Sequence, residues 1–175
     1  LNYYFGDKNG LLAALLRDRF AVIDARRGEL LAAFEEEGRG DDPAALLEAT
    51  VRPLIEDAAS REQGPAFAAL VAQISAHPLF DAERYFANTG LPGQRRVYER
   101  LDALLAGLTP AERRLKTRIV TAIVLQSIAA WTGSPEPRMD VERLAAHLVA
   151  AVLSAVGVRP QPAIRAVRPR RAARP

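Results

Sequence analysis

A chain of 175 residues, 49% apolar and 26% charged, is long enough to bury one main core and is not composed like a disordered or fibrous protein. It has no cysteine, which excludes disulfides, thiolate metal sites and a cysteine nucleophile. The formal charge of +3 belongs to the end of the chain: removing the six arginines after Val158 from the 24 basic residues leaves 18 against 21 acidic ones, a body at −3.

The chain opens on LNYYFGDKNGLLAALL, with three aromatics in its first five residues. Leu12, Leu16, Phe20, Ile23, Leu31 and Phe34 then recur at helical spacing, which predicts one long amphipathic helix over about residues 8–36, with Gly28 a weak point. After EEEGRGDDP, Asp42 as N-cap and Pro43 at the first position predict a second helix over about 44–59. A third is expected at about 65–77, with Phe67, Leu70, Val71 and Ile74 on its apolar face. HPLFDAERYFANTGLPG predicts a short helix, a break at Gly90–Gly93 and a helix over about 94–106. LTPAERR carries a capping box, Thr109 with Glu112 three residues on, so a helix should start at Pro110 and end near Thr132-Gly133. Asp140 caps a last helix over about 141–156, closed by Gly157. No stretch reads as a strand and no uncharged run reaches a bilayer span, so the expected fold class is all-α. Residues 158–175, rich in Pro, Ala and Arg, are expected to form a basic disordered tail that aids solubility, in preference to an arm for nucleic acid or an anionic membrane.

The last two helices are apolar on two sides. On the first, Val120, Val124, Ile128 and Trp131 form one stripe, and Leu115, Ile119, Ala122, Gln126 and Ala130 another. On the second, Val141, Leu144, Leu148 and Val152 form one stripe, and Ala145, Val149, Leu153 and Val156 another. Double faces point to a homodimer built as a four-helix interface, with Val120, Val124, Ile128, Leu148, Val149, Val152 and Leu153 as candidate contacts. The alternative is a monomer in which both helices are central.

Leu1, Asn2, Tyr3, Phe5, Gly6, Lys8 and Leu11 bring the opening close to a known pattern: it resembles the end of the helix-turn-helix in the TetR family of bacterial transcriptional repressors. That family carries Leu/Ile-Tyr/Asn-Tyr-His-Phe-x-Ser/Asn-Lys-Glu-x-Leu here. Tyr4, Asp7 and Asn9 depart from it. The resemblance covers about a dozen residues, and the rest of the chain resembles the family in plan only. It implies a TetR-like C-terminal helical bundle, with residues 1–7 a remnant of the DNA-binding domain and residues 8–157 the effector-binding and dimerisation domain. Gly6-Asp7 would be the exit turn, and Lys8 would begin the helix joining reader to regulator. Asn2, Tyr3, Tyr4 and Lys8 would be the DNA-binding remnant, touching phosphate or packing the reader. The earlier helices of the reader would precede Leu1.

Enzyme chemistry finds no support. His77 and His147 are the only histidines, no phosphate loop or metal-ligand spacing is present, and EEE at 35–37 reads as a solvated helix end. Arg96 and Arg100 beside Glu99 read as surface pairs. Aromatic and polar residues instead concentrate between 67 and 98. With two from the penultimate helix they predict an effector site of Phe67, Gln73, His77, Phe80, Phe86, Tyr98, Gln126 and Trp131, suited to a small apolar or aromatic molecule. No cofactor, metal or membrane is expected. The reading is a cytoplasmic, ligand-responsive regulator whose full-length form binds operator DNA as a homodimer. The alternative is a free-standing dimeric helical small-molecule-binding protein without specific DNA binding, and the upstream sequence discriminates the two.

Overall fold

A computed structural model describes the backbone of residues 2–60, 63–76, 90–134 and 139–157, and the side chains of these from residue 14 on, except Ser60. The described residues form six helices and no strand: α1 (Asn2–Glu36), α2 (Pro43–Ser60), α3 (Gly64–Ser75), α4 (Pro92–Leu104), α5 (Pro110–Gly133) and α6 (Val141–Val156). None is long and apolar enough to cross a membrane.

The expected caps form. Thr109 accepts from the Glu112 N–H while Glu112 accepts from the Thr109 N–H, so two N-terminal donors of α5 are satisfied by one pair of side chains. Asp140 accepts from the Arg143 N–H at 2.7 Å, Asp42 from the Ala44 N–H at 3.1 Å, and Gly157 closes α6.

Two boundaries differ from expectation. Gly6 and Asp7 lie inside α1 and not in a turn, and the helix also runs on through Gly28. Neither residue type bars a helix as proline does; each costs up to about 1 kcal/mol relative to alanine. Helix α4 starts at Pro92, two residues earlier than expected, because proline suits a first helical position and Gly93 is needed within the first turn, for a reason given below.

The predicted face of α1 is the buried one. Leu16, Phe20, Ile23, Leu31 and Phe34 are all in the core. Helix α2 is the hub: it packs against α1, α3, α4, α5 and α6, and Leu46, Leu47, Val51 and Ile55 are buried around it. A helix touched from so many directions needs apolar residues around most of its circumference, and α2 keeps a single charged stripe, Glu48, Arg52 and Glu56. The joint between α2 and α3 is very close. A Cβ built on Gly64 would lie 2.4 Å from the Ala58 carbonyl oxygen, so only glycine lets the two backbones meet there.

Three charged side chains of α1 are buried with its apolar stripe: Arg19, Asp24 and Arg27. Arg19 donates through Nε to Asp57 on α2 at 2.9 Å, and its guanidinium lies 4.2 Å from the Phe67 ring centroid. Phe67 in turn meets Phe20 edge to face, with 5.7 Å between centroids. These contacts bind α1 to α2 and α3. Asp24 and Arg27 bind it to α4.

Candidate ligand cleft

The first turn of α4 is built on a carboxylate from another helix. The backbone N–H groups of Gly93 and Gln94 donate to Asp24 of α1 at 2.8 and 2.7 Å. They belong to the set of helix N-terminal donors that has no partner within its own helix. Leu91, the N-cap residue, makes no side-chain cap, so Asp24 acts as the cap from outside. The approach requires Gly93: a Cβ there would sit 2.9 Å from the Asp24 main-chain oxygen. Arg27, only 2% exposed, balances the buried carboxylate through Nη1 at 2.6 Å. Burial pushes the Arg27 guanidinium below its ordinary value, and the hydrogen bond to Asp24 opposes that shift.

A second clasp joins the same two helices one end further on. Glu35 of α1 accepts from Arg96 at 2.7 Å and from Arg100 of α4, and Arg100 also donates to the Gly40 carbonyl at 2.8 Å. These hydrogen bonds, that from Arg100 foremost, hold the Glu35 carboxyl below its ordinary value. Glu35 is thus not merely part of a solvated helix end, and Arg96 and Arg100 pair with it instead of with Glu99.

On its other side α4 faces a cleft of about 490 Å³. The opposite walls are the first half of α5 and the last turns of α6, and Pro43 and Leu47 of α2 contribute as well. The lining is mostly apolar: Leu47, Leu91, Leu101, Leu104, Leu105, Val120, Val152, Leu153 and Val156. Four uncharged polar residues interrupt it in two pairs, each one helical turn apart: Gln94 and Tyr98 on α4, Thr117 and Thr121 on α5. Gln94 is buried. Charged lining residues are Arg95, Glu99, Asp102, Arg113 and Lys116. Arg113 donates to both Asp102 oxygens, at 3.0 and 3.1 Å, joining α5 to α4. Lys116 donates to the Val156 carbonyl, joining α5 to the end of α6. Volume and lining suit a small, largely apolar molecule with a few hydrogen-bonding groups.

Of the predicted effector residues that are described, Tyr98 alone lines this cleft. Phe67 is in the core beneath α1, beside a separate void of about 20 Å³, room for no more than one water. Gln73 is exposed on α3. Gln126 is exposed on α5 and donates to the Ala72 carbonyl at 3.0 Å, a link between α5 and α3. Trp131 is half-buried, and its indole N–H donates to the Met139 carbonyl at 3.0 Å. His77, Phe80 and Phe86 lie outside the described residues, as do the side chains of Asn2, Tyr3, Tyr4 and Lys8. Sequence reasoning does not find Gln94, Thr117 and Thr121; nothing but their place opposite one another marks them.

The dimer contacts expected on α5 and α6 need correcting. Val124, Ile128, Leu148, Val152 and Leu153 are buried in this chain's own core, against Leu47, Val51 and Ile55 of α2, and a second chain cannot cover what is already covered. Val120 and Val149 are half-buried against the same core. Both stripes of α6 are used within the chain, one in the core and the other partly in the cleft through Leu153 and Val156. The stripe of α5 left outside is the other one: Leu115, which is 59% exposed, with Ile119, Ala122, Gln126 and Ala130. Beside it α6 exposes Ala146, His147, Ala150, Ala151, Ser154 and Ala155.

Residues 48–155 match the family described as tetracyclin repressor-like, C-terminal domain. No curated protein and no solved structure gives a match.

Proposed function

From the premise that the chain belongs to the tetracyclin repressor-like C-terminal domain family, we propose that it is the ligand-sensing and dimerising part of a cytoplasmic DNA-binding transcriptional regulator. The observation that carries the reading is the cleft between α4 and the α5–α6 pair, apolar with four uncharged polar groups. No reacting constellation accompanies it among the described residues, and in these no group of three or more His, Asp or Glu is placed to hold a metal ion. The cleft's role is to bind, and the family's role is to regulate transcription. Its effector is a small, mainly apolar molecule whose hydrogen-bonding groups meet Gln94, Tyr98, Thr117 and Thr121. Operator DNA is the partner of the full-length protein, engaged through a reader next to α1, a reading supported by the resemblance over Leu1–Leu11.

The dimer is the second part of the proposal. The outer faces of α5 and α6 combine exposed Leu115 and Ile119 with a row of small side chains. Small residues let helices approach closely, and a two-fold pairing of this face makes a four-helix interface.

The test for the site uses Nile red, an uncharged dye whose emission brightens and shifts in apolar surroundings. The wild-type chain should bind it, and Val120→Trp, which fills the cleft, should abolish binding while leaving the circular dichroism spectrum unchanged. Equal binding by both proteins would refute the cleft as the ligand site.

A further inference from the structure

The charges that line the cleft do not cancel. Arg95, Arg113 and Lys116 are set against Glu99 and Asp102. Arg113 is spent on Asp102, both of whose oxygens it holds. Arg95 and Glu99 stand one turn apart on the exposed side of α4, where each offsets the other. Lys116 is left over. It is half-buried, and the acceptor it holds is the Val156 carbonyl, a neutral group at the end of α6. The acid that feels its charge, Glu112, is not part of the lining and is engaged by the Thr109 N–H and hydroxyl. An ammonium carries three N–H donors, so Lys116 keeps two after Val156 has taken one. Beside it on α5 the Thr117 hydroxyl also lines the cleft, and it has no partner among the described residues.

We propose that the cleft takes an amphiphile with one anionic group, held by Lys116 and Thr117 while its apolar body lies on Leu47, Leu91 and Val152. This rests on the reading of the cleft as the ligand site and names the class of ligand. The two parts of such a molecule have different places to go. Leu47, Leu91 and Val152 are buried, so this part of the lining favours an apolar chain. Lys116 is tied to the last turn of α6, and Arg113, one turn earlier on α5, is tied to the last turn of α4. Both cations therefore lie where those two helices stop, at one end of the cleft. A carboxylate brought there supplies the half-buried ammonium with the counter-charge that the lining withholds, and it accepts from the Thr117 hydroxyl as well. Hydrogen bonds between ionised groups are roughly twice as strong as neutral ones. An alcohol on the same body gains only the neutral kind, and an ammonium is repelled by Lys116.

The test is isothermal titration calorimetry of the full chain at neutral pH with octanoate, octanol and octylammonium, which share one apolar body and differ in charge. Octanoate should bind about tenfold more tightly than octanol, the low end for a hydrogen bond to a charged group, and octylammonium should bind most weakly. Lys116→Gln keeps a donor for the Val156 carbonyl and removes the charge. It should bind octanol as wild type does and lose the preference for octanoate. Lys116→Arg keeps the charge and should keep the preference. Arg95→Gln removes the cation beside Glu99 and should keep it too. Equal affinity of wild type for octanoate and octanol overturns the proposal and spares the cleft, and that comparison needs no variant to fold. A preference that survives Lys116→Gln, or that is lost in Arg95→Gln alone, overturns it likewise. Octanol binding that Val120→Trp leaves intact, or no binding of any of the three by wild type, overturns the cleft itself, and the proposal with it.

Discussion

Asp24→Ala is expected to be among the most damaging single substitutions in the domain. It leaves Arg27 charged at 2% exposure with no counter-ion, and it strips the Gly93 and Gln94 N–H groups of their acceptor. Arg27 has little to fall back on, since its Nε is already buried without a partner. Breaking a buried pair from one side costs about 3–5 kcal/mol. Each stranded donor costs about 1–3 kcal/mol more if it stays dry, but local opening lets water reach some of them, so the terms do not add. A net loss of about 4 kcal/mol is a large part of the roughly 5–15 kcal/mol that holds a domain folded. For a chain of this size it should lower the melting temperature by about 8–16 °C. Asp24→Ala/Arg27→Met should recover much of the loss, because an apolar pair can replace a buried ion pair at little cost. Urea unfolding followed by circular dichroism, at one fixed protein concentration, measures all three proteins. A single variant within about 1 kcal/mol of wild type, or a double variant no better than the single, would refute the reasoning.

Three further outcomes follow from the same geometry. Arg100 and Arg96 hold the Glu35 carboxyl below its ordinary value of 4.5, so its contribution is present above that pH and is lost as acid protonates it in the folded state. Glu35→Gln should therefore be less stable than wild type near neutral pH, and the difference should close on acidification; a difference independent of pH would count against the clasp. Thr109→Ala removes half of the α5 capping box and should cost about 1 kcal/mol in urea unfolding, against no change if the cap is idle. Ile119→Asp places a charge on the outer face of α5 without touching the core, so sedimentation should show a folded monomer; an unchanged dimer would move the interface elsewhere.

Local signals in the sequence proved sufficient for the helices. Thr109 with Glu112, Asp140, Asp42 and Gly157 act within a few residues of themselves, so their roles are written in the chain. The stripe from Leu16 to Phe34 was legible for the same reason: a helix has one period, and five large apolar residues shared one face. The clamp was not legible. A charged residue reads as surface unless its partner is known, and the partners of Asp24 are backbone groups about seventy residues away. The cleft was not legible either, apart from Tyr98. A cavity exists where helices fail to touch, and nothing along the chain records that; Phe67, apolar and large, went to the core instead. On α5 and α6 the sequence showed two apolar faces each but not which would be turned inward. Helix α2 decided it, by offering Leu47, Val51 and Ile55 to the bulkier side.

The glycine where α2 meets α3 bears on how the gene can drift. Every single-base change that alters a glycine codon to another amino acid adds a Cβ, and at Gly64 that atom would fall 2.4 Å from the Ala58 oxygen. Selection should hold glycine at this position whatever the cleft comes to bind. Gly28, in the middle of α1, is the opposite case: a Cβ there would meet nothing within 4 Å, and alanine should strengthen the helix by up to about 1 kcal/mol. Between an immovable joint and a site with stability in reserve, the scaffold can absorb substitutions in the cleft walls and acquire new ligands without losing its frame.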